Sequence, residues 1–172
     1  MKPASILTFA RVTLRGLIVA NWVCGALIFA LLLVSFQAEE WTWRALGVGG
    51  AAEHDDAAAG MRSIMVVGIL AVPIAFIVLS RLFQIVQSVR AGNAFTVENA
   101  GRLKTIAWSL LALEVLHYCV VAIASSLATR GIPLHIGNDF NLTGWLAILL
   151  LFVLAQVFLQ GARMHDELEA TV

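Results

Sequence analysis

A glutamate and a histidine in the middle of an apolar stretch are the residues of this sequence best placed to do chemistry. Glu114 and His117 lie within residues 105–128, three positions apart and therefore on one face of a helix. At 1.5 Å per residue they lie roughly 14 and 18 Å from the start of that stretch. An ionisable residue at this depth in a membrane costs at least ~2.5 kcal/mol, so it is expected to turn inward and pair, or to stay protonated. One interpretation is a proton relay or ligand pair, and the other is a structural hydrogen bond from neutral Glu114 to Gln156 or Asn21.

Other catalytic and metal chemistries lack the residues that they need. Di-iron carboxylate bundles use two Glu-x-x-His motifs and two further glutamates, whereas this chain has one such motif within its apolar segments. His117 has no second histidine at its depth to complete a haem site with two histidine ligands. The acidic loop residues Glu53, His54, Asp55 and Asp56 follow no recognised metal-binding spacing. We therefore predict a protein that is not an enzyme, with no catalytic residues, no metal and no cofactor; a membrane-embedded metalloenzyme is the least favoured alternative.

Four long apolar segments must position these side chains. Mean hydropathy is +0.90 and 13% of residues are charged, against roughly 25% in ordinary globular proteins. The segments span about residues 17–36, 63–80, 105–128 and 142–159, and about 20 helical residues cross a hydrocarbon core of about 30 Å. Backbone groups in lipid must be satisfied within their own segment, so helices are predicted rather than strands. The predicted fold is an all-α integral membrane four-helix bundle, a single transmembrane domain over residues 1–172 whose first segment is a retained anchor rather than a cleaved signal peptide.

The distribution of lysine and arginine predicts how this bundle is oriented. Cytoplasmic connections of membrane proteins carry an excess of these residues. The two termini and the middle connection together hold eight of the 11 cations, and the opposite side holds three cations and most of the acidic loop residues. Both the N and C termini are therefore predicted to be cytoplasmic. Net charge is zero and no basic nucleic-acid face occurs, so no direct nucleic-acid partner is predicted. The eight cations are Lys2, Arg11, Arg15, Arg81, Arg90, Arg102, Lys104 and Arg163.

The middle connection contains the stretch GNAFTVENAGRLKTIAW, residues 92–108, which predicts the start of the third helix. Gly92 and Asn93 are expected to break the chain after the second helix. Thr96 is a suitable N-cap whose hydroxyl can accept a hydrogen bond from the backbone amide of Asn99 or of its neighbour. Glu98 then lies in the first turn, where the helix dipole favours an anion. The charges here are either a collar at the membrane surface or a docking surface for a cytoplasmic partner. The docking candidates are Arg90, Asn99, Arg102 and Lys104, with the tail at residues 163–172.

Two stretches in the second half of the chain follow a recognisable pattern. The first is GNAFTVENAGRLKTIAW and the second is LFVLAQVFLQGARMHDELEATV at the end. Both resemble the bacterial domain-of-unknown-function 2975 family, the YoaS-like integral membrane proteins. The resemblance implies a small multi-pass protein of the bacterial inner membrane with no established activity, and a cytoplasmic helix-turn-helix regulator as its partner. The matching positions are Gly92, Phe95, Asn99, Arg102, Leu103, Trp108, Phe158, Gly161, Glu167, Thr171 and Val172.

Two functions are compatible with these features. We favour a non-enzymatic regulatory or interaction protein that docks a cytoplasmic partner on residues 90–104 and the tail. The alternative is a small proton-linked transporter or sensor that uses Glu114 and His117. Four short helices leave little room for a channel inside one chain, so a homo-oligomer stays open. The partners considered are thus the lipid bilayer, a cytoplasmic regulator and a second copy of the chain.

Overall fold

The helices follow from the apolar segments. A computed structural model describes residues 3–37, 55–93, 95–128 and 141–169 of the chain. These residues form four helices, which are α1 (Pro3–Gln37), α2 (Asp55–Arg90), α3 (Val97–Ala128) and α4 (Leu142–Glu169). No strand occurs in the described ranges, and each helix is long and apolar enough to cross a membrane. The prediction of an all-α protein with four membrane helices is confirmed.

All four helices are longer than the apolar segments that predicted them. α1 begins at Pro3 rather than near residue 17, α2 extends beyond both ends of 63–80, α3 begins at Val97 rather than near 105, and α4 continues past 159. Hydropathy detects only the part of a helix that lies in hydrocarbon, whereas the backbone hydrogen bonds continue until a cap or a turn ends them. At 1.5 Å per residue, the 35 residues of α1 measure about 52 Å, well over a hydrocarbon core of about 30 Å.

The described residues group into two compact units. The first unit takes its residues from Met1–Ala20, Ile74–Ala112 and Asn141–Val172, and the second takes them from Asn21–Pro73 and Leu113–Phe140. In the first unit, alanines make up much of the buried surface, and such small side chains let helix backbones approach closely in a membrane protein. The buried apolar residues of the first unit are Leu14, Ala100, Leu103, Ile106, Ala107, Ile148, Ala155 and Ala162.

The second unit contains a close approach of α1 to α2 at a glycine. A Cβ atom on Gly25 would lie 2.9 Å from both Cγ atoms of Val72, a separation that side chains do not tolerate. Nearby, Asn21 donates from Nδ2 to the backbone oxygen of Val72 at 3.1 Å. Farther along the same two helices, Met65 is buried against a cluster of partly buried apolar side chains, Ile28, Leu31, Leu32 and Met61. Glycine at position 25 is therefore part of the packing of α1 on α2.

The end of α1 is held by an arginine from α2. Arg62 donates from Nη2 to the backbone oxygen of Ser35 at 2.7 Å, and its guanidinium carbon lies 4.5 Å from the ring centroid of Phe36. The oxygen of Ser35 belongs to the last turn of the helix, where carbonyl groups have no partner within the helix. Arg62 therefore satisfies a helix end and shields its own charge against an aromatic ring.

Large apolar side chains cover the outer faces of the helices. Leu27, Leu70, Val115 and Leu149 come from four different helices, and each is between 53% and 66% exposed. A soluble protein rarely exposes apolar surface in contiguous patches of this kind. Such faces are stable in lipid, because exposing an apolar side chain to hydrocarbon does not carry the free-energy cost of exposing it to water. The chain is a multi-pass membrane protein.

Candidate functional site

The turn from α2 to α3 ends α2 in a defined way. Gly92 has a φ of +87°, a backbone conformation that favours glycine because other residues have a Cβ atom that clashes. The amide of Asn93 donates to Ser88 O and that of Gly92 donates to Val89 O, both at 3.1 Å. These two bonds form a Schellman motif, which satisfies carbonyl groups at the helix end. The predicted break at Gly92 and Asn93 is confirmed.

The start of α3 is capped as its sequence predicts. The amide of Asn99 donates to Thr96 Oγ1 at 3.2 Å, and the amide of Ala100 donates to the backbone oxygen of Thr96 at 3.1 Å. Glu98 lies in the first turn of the helix, where its charge interacts favourably with the helix dipole. The turn between α2 and α3 is thus fixed at both of its ends by local chemistry.

The side chain of Asn99 joins those two ends. It is completely buried, and its Nδ2 donates to Ser88 Oγ at 2.9 Å and to Asn93 O at 3.1 Å. Its Oδ1 accepts from Nη1 of Arg102 at 2.7 Å. Ser88 in turn donates from Oγ to Asn93 O at 2.6 Å, and Arg102 lies 3.6 Å from a carboxylate oxygen of Glu98. Asn99 therefore holds the turn in place from inside.

Two of the predicted docking residues thus act beneath the surface. Asn99 is buried and Arg102 is only 23% exposed in its side chain, so both position the turn. Ser88 belongs to the same network and was not singled out from the sequence, because a serine near a helix end has many ordinary roles. Arg90 and Lys104, by contrast, are exposed.

Aromatic contacts fasten this turn to α4. The ring centroids of Phe95 and Phe158 lie 4.9 Å apart, and a Cβ atom on Gly161 would lie 3.2 Å from Cδ1 of Phe95. About three helical turns into α3, the ring of Trp108 meets that of Phe152 edge to face, with centroids 5.5 Å apart. Phe95 nevertheless stays 53% exposed. A phenylalanine is thus held in a fixed position while much of its ring faces outward.

A shallow groove runs beside this turn between α3 and α4. It has a volume of about 190 Å³ and includes Lys104 and Gln156, both of which are exposed. Its other lining residues are apolar or small, and they are Val97, Ala100, Gly101, Ala155 and Leu159. Gln156, which was predicted as an intramembrane polar residue, therefore lies beside a cation on an outer face.

Four exposed residues around the turn define what we call the turn surface, which consists of Arg90, Phe95, Lys104 and Arg163. All four belong to the first unit. Within the described part of the chain, none of the three cations forms an ion pair. The turn surface thus combines positive charge with an outward-facing aromatic ring, and Asn99 fixes the backbone of the turn between Arg90 and Phe95.

Asn21, Glu114 and His117, the polar residues predicted to lie within the membrane in the second unit, form no hydrogen bond with one another. Asn21 donates to Val72 O, and His117 is exposed with an edge contact of 5.9 Å to the ring of Tyr118. Oε1 of Glu114 is buried and has no hydrogen-bond partner among the described residues. The hydrogen bond from Glu114 to Gln156 or Asn21 stays a prediction. An unpartnered buried polar atom is costly, and Oε1 of Glu114 shares this state with Nε of Arg11 among the described residues.

No group of three or more potential metal ligands occurs among the described residues. Glu53 and His54 of the acidic loop lie outside the described part of the chain, as do Thr171 and Val172 of the tail. The side chains of Asp55 and Asp56, within the first turn of α2, are likewise not described. The predicted orientation of the chain partly depends on Arg44 and Arg130, which also lie outside the described part of the chain.

A family model, described as "Protein of unknown function (DUF2975)", matches residues 45–172 of the chain. No curated protein matches, and no solved structure matches. The matched range contains α2, α3 and α4 together with the turn surface, and it leaves out α1.

Proposed function

Because the chain belongs to the DUF2975 family, whose function is unknown, we propose a function from its own residues: it is a non-enzymatic regulatory protein of the bacterial inner membrane that docks a cytoplasmic protein on the turn surface. The observation that carries this proposal is the buried side chain of Asn99. A short connection between two membrane helices needs only to reach from one to the other. This one is instead fixed by a Schellman motif, an N-cap and a buried amide with three side-chain hydrogen bonds.

A fixed turn favours recognition because a preorganised surface loses less conformational entropy when a partner binds. The turn surface holds Phe95 in place through Phe158 while half of the ring remains exposed. Aromatic and arginine side chains are the residues that most often dominate protein interfaces. A partner complementary to this surface presents an apolar pocket with acidic groups around it.

The orientation of the chain is part of the proposal. The turn surface is at the end of the helices that carries eight of the 11 lysine and arginine residues, and such ends face the cytoplasm in most membrane proteins. A cytoplasmic helix-turn-helix regulator, the partner class that the family resemblance implied, is the partner that we propose. The chain would hold such a regulator at the membrane and away from its operator.

Site-directed crosslinking and co-purification test this proposal. A photoreactive residue at position 95 should crosslink to a cytoplasmic protein, and Phe95→Ala combined with Arg90→Gln should reduce the recovery of that protein at least several-fold. Phe9→Ala is the matched control, because Phe9 is also exposed, at 74%, but belongs to α1. Unchanged recovery with the double variant would mean that the turn surface is not the docking site.

A second variant separates the fixed turn from the surface residues themselves. Asn99→Ala leaves every residue of the turn surface in place and should still weaken docking, because it releases the backbone that positions Phe95. Asn141→Ala is its control: Asn141 accepts from the amide of Gly144 at 3.1 Å and caps α4, away from the turn. Equal docking by these two variants would contradict the role given to preorganisation.

One observation favours a second candidate function, a proton-linked transporter or sensor. The carboxyl of Glu114 has a buried oxygen without a partner in the described residues, and an intramembrane ionisable residue is by default a functional candidate. Here Glu114→Gln should abolish proton-coupled uptake or a pH response of the protein in vesicles and leave its amount in the membrane unchanged. Wild-type behaviour of that variant would remove the second candidate.

A further inference from the structure

Two arginines of α1 share one aromatic ring of α2. The guanidinium carbon of Arg11 lies 6.0 Å from the ring centroid of Phe83, and that of Arg15 lies 5.6 Å from the same centroid. The two arginines are four residues apart, so they are neighbours on one face of α1. All three residues belong to the first unit. Two positive charges are thus brought together over a single phenylalanine.

Nothing in the described part of the chain neutralises these charges. Neither Arg11 nor Arg15 forms an ion pair with a described residue, and Nε of Arg11 is buried without a hydrogen-bond partner there. The nearest cation along α2, Arg81, donates from Nη1 to Gln84 at 3.1 Å. Like charges four residues apart on a helix repel each other, and a buried donor without an acceptor adds a further cost. The contact of the arginines with the Phe83 ring offsets only part of the repulsion and of the cost of the unpaired donor.

A bound anion would remove both costs at once. Guanidinium groups match the oxygens of a phosphate in geometry and can bind them with two parallel hydrogen bonds each. The position along the helices identifies where such an anion comes from. Arg15 lies two residues before the first apolar segment begins at Leu17, and Phe83 lies three residues after the second ends at Ser80. Both therefore lie where the hydrocarbon core meets the headgroups.

We infer that Arg11, Arg15 and Phe83 form a binding site for the phosphate of an anionic phospholipid. Basic pockets between membrane helices are known to bind such headgroups. Exposed apolar side chains on the hydrocarbon side of Arg15, Leu17 and Val19, can contact the acyl chains, since they are 47% and 63% exposed. The two arginines lie on α1, outside the range that the family model matches, whereas Phe83 lies on α2 within it. The site does not depend on the proposed docking of a protein.

Native mass spectrometry of the purified chain tests this inference. Phosphatidylglycerol or phosphatidylcholine is added to the protein in detergent, and the retained lipid is counted. Phosphatidylglycerol should bind preferentially, and Arg11→Gln with Arg15→Gln should weaken its binding about 30-fold, or about 5-fold for each arginine. Phe83→Leu keeps both charges but removes the ring, and it should also weaken binding. This second variant keeps the test decisive if the double variant does not fold.

Two controls distinguish this site from general attraction between charges. Arg90→Gln with Arg163→Gln removes two exposed arginines from the first unit that have no aromatic ring contact, and it should leave the selectivity for phosphatidylglycerol intact. Inorganic phosphate at millimolar concentration should displace little lipid, because it cannot use the apolar contacts. An equal loss in both double variants, wild-type binding by Phe83→Leu, or full displacement by inorganic phosphate would each overturn the inference.

Discussion

Replacing Asn99 with alanine removes the side chain that joins the end of α2 to the start of α3. The hydrogen bonds lost include two from Nδ2, to Ser88 Oγ and Asn93 O, and one from Nη1 of Arg102 to Oδ1. A net contribution of about 1 kcal/mol for each neutral bond and about 2 kcal/mol for the bond to the charged group gives about 4 kcal/mol. Arg102 keeps some solvent contact and its ion pair with Glu98. The expected loss in the free energy of unfolding is therefore about 3 kcal/mol.

The free energy of unfolding can be measured by titrating the purified protein in mild detergent with a denaturing detergent. Asn141→Ala, the matched control, loses the cap of α4 and should cost about 1 kcal/mol. Limited trypsin digestion gives a local reading, because the bond after Arg90 lies at the turn and Arg90 is exposed. Cleavage there should accelerate in Asn99→Ala and stay at the wild-type rate in Asn141→Ala.

Asn99→Asp tests the Nδ2 donor of Asn99 separately from its oxygen. Aspartate keeps an oxygen for Arg102 but replaces the Nδ2 donor with an acceptor that faces Asn93 O. The hydroxyl of Ser88 would then have to turn from Asn93 O to the carboxylate. The loss in the free energy of unfolding for Asn99→Asp should lie between the losses for Asn141→Ala and Asn99→Ala. If Asn99→Ala were no more destabilising than Asn141→Ala, and cleavage at Arg90 were unchanged, the buried amide would not be what holds the turn.

Substitutions of Gly92 and Gly25 can each be compared with a substitution of a second glycine, Gly101 for Gly92 and Gly16 for Gly25. Gly92→Ala should lower the free energy of unfolding by about 1–2 kcal/mol, because φ is +87° there. Gly101→Ala lies within α3 and has open space around its Cβ position, so it should stabilise the protein by up to about 1 kcal/mol through helix propensity. Thermal unfolding in detergent compares the two variants, and equal values would contradict the left-handed backbone conformation at Gly92. Gly25→Ala should cost about 1–3 kcal/mol, because its Cβ would meet a branched Val72 side chain that cannot rotate away easily. Gly16→Ala lies in the same helix with nothing within 4 Å of its Cβ position, and a loss as large as that at Gly25 would refute the packing explanation.

Local signals along the chain predicted the start of α3 well. The cap at Thr96 and the first-turn Glu98 depend only on residues three or four positions apart, and both are found as predicted. The start of α1, the start of α2 and the end of α4 could not be predicted in the same way, since hydropathy changes at the edge of the hydrocarbon and not at the end of a helix.

The roles of Asn99 and of the arginine pair depend on contacts between helices. A polar residue in the first turn of a helix ordinarily faces water. Asn99 is completely buried because the end of α2 lies beside the start of α3. From the sequence alone, Arg11 and Arg15 contribute only to the predicted orientation of the chain. Their common contact with Phe83 joins residues about 70 positions apart, and no periodicity in the sequence predicts such a pair.

Several positions that carry the family resemblance have structural roles at one turn. Gly92 supplies the left-handed residue of the turn and Asn99 its buried support. Phe95, Phe158 and Gly161 fasten the turn to α4. A turn fixed from three sides loses little conformational entropy when a partner binds, and this is the property on which the docking proposal depends.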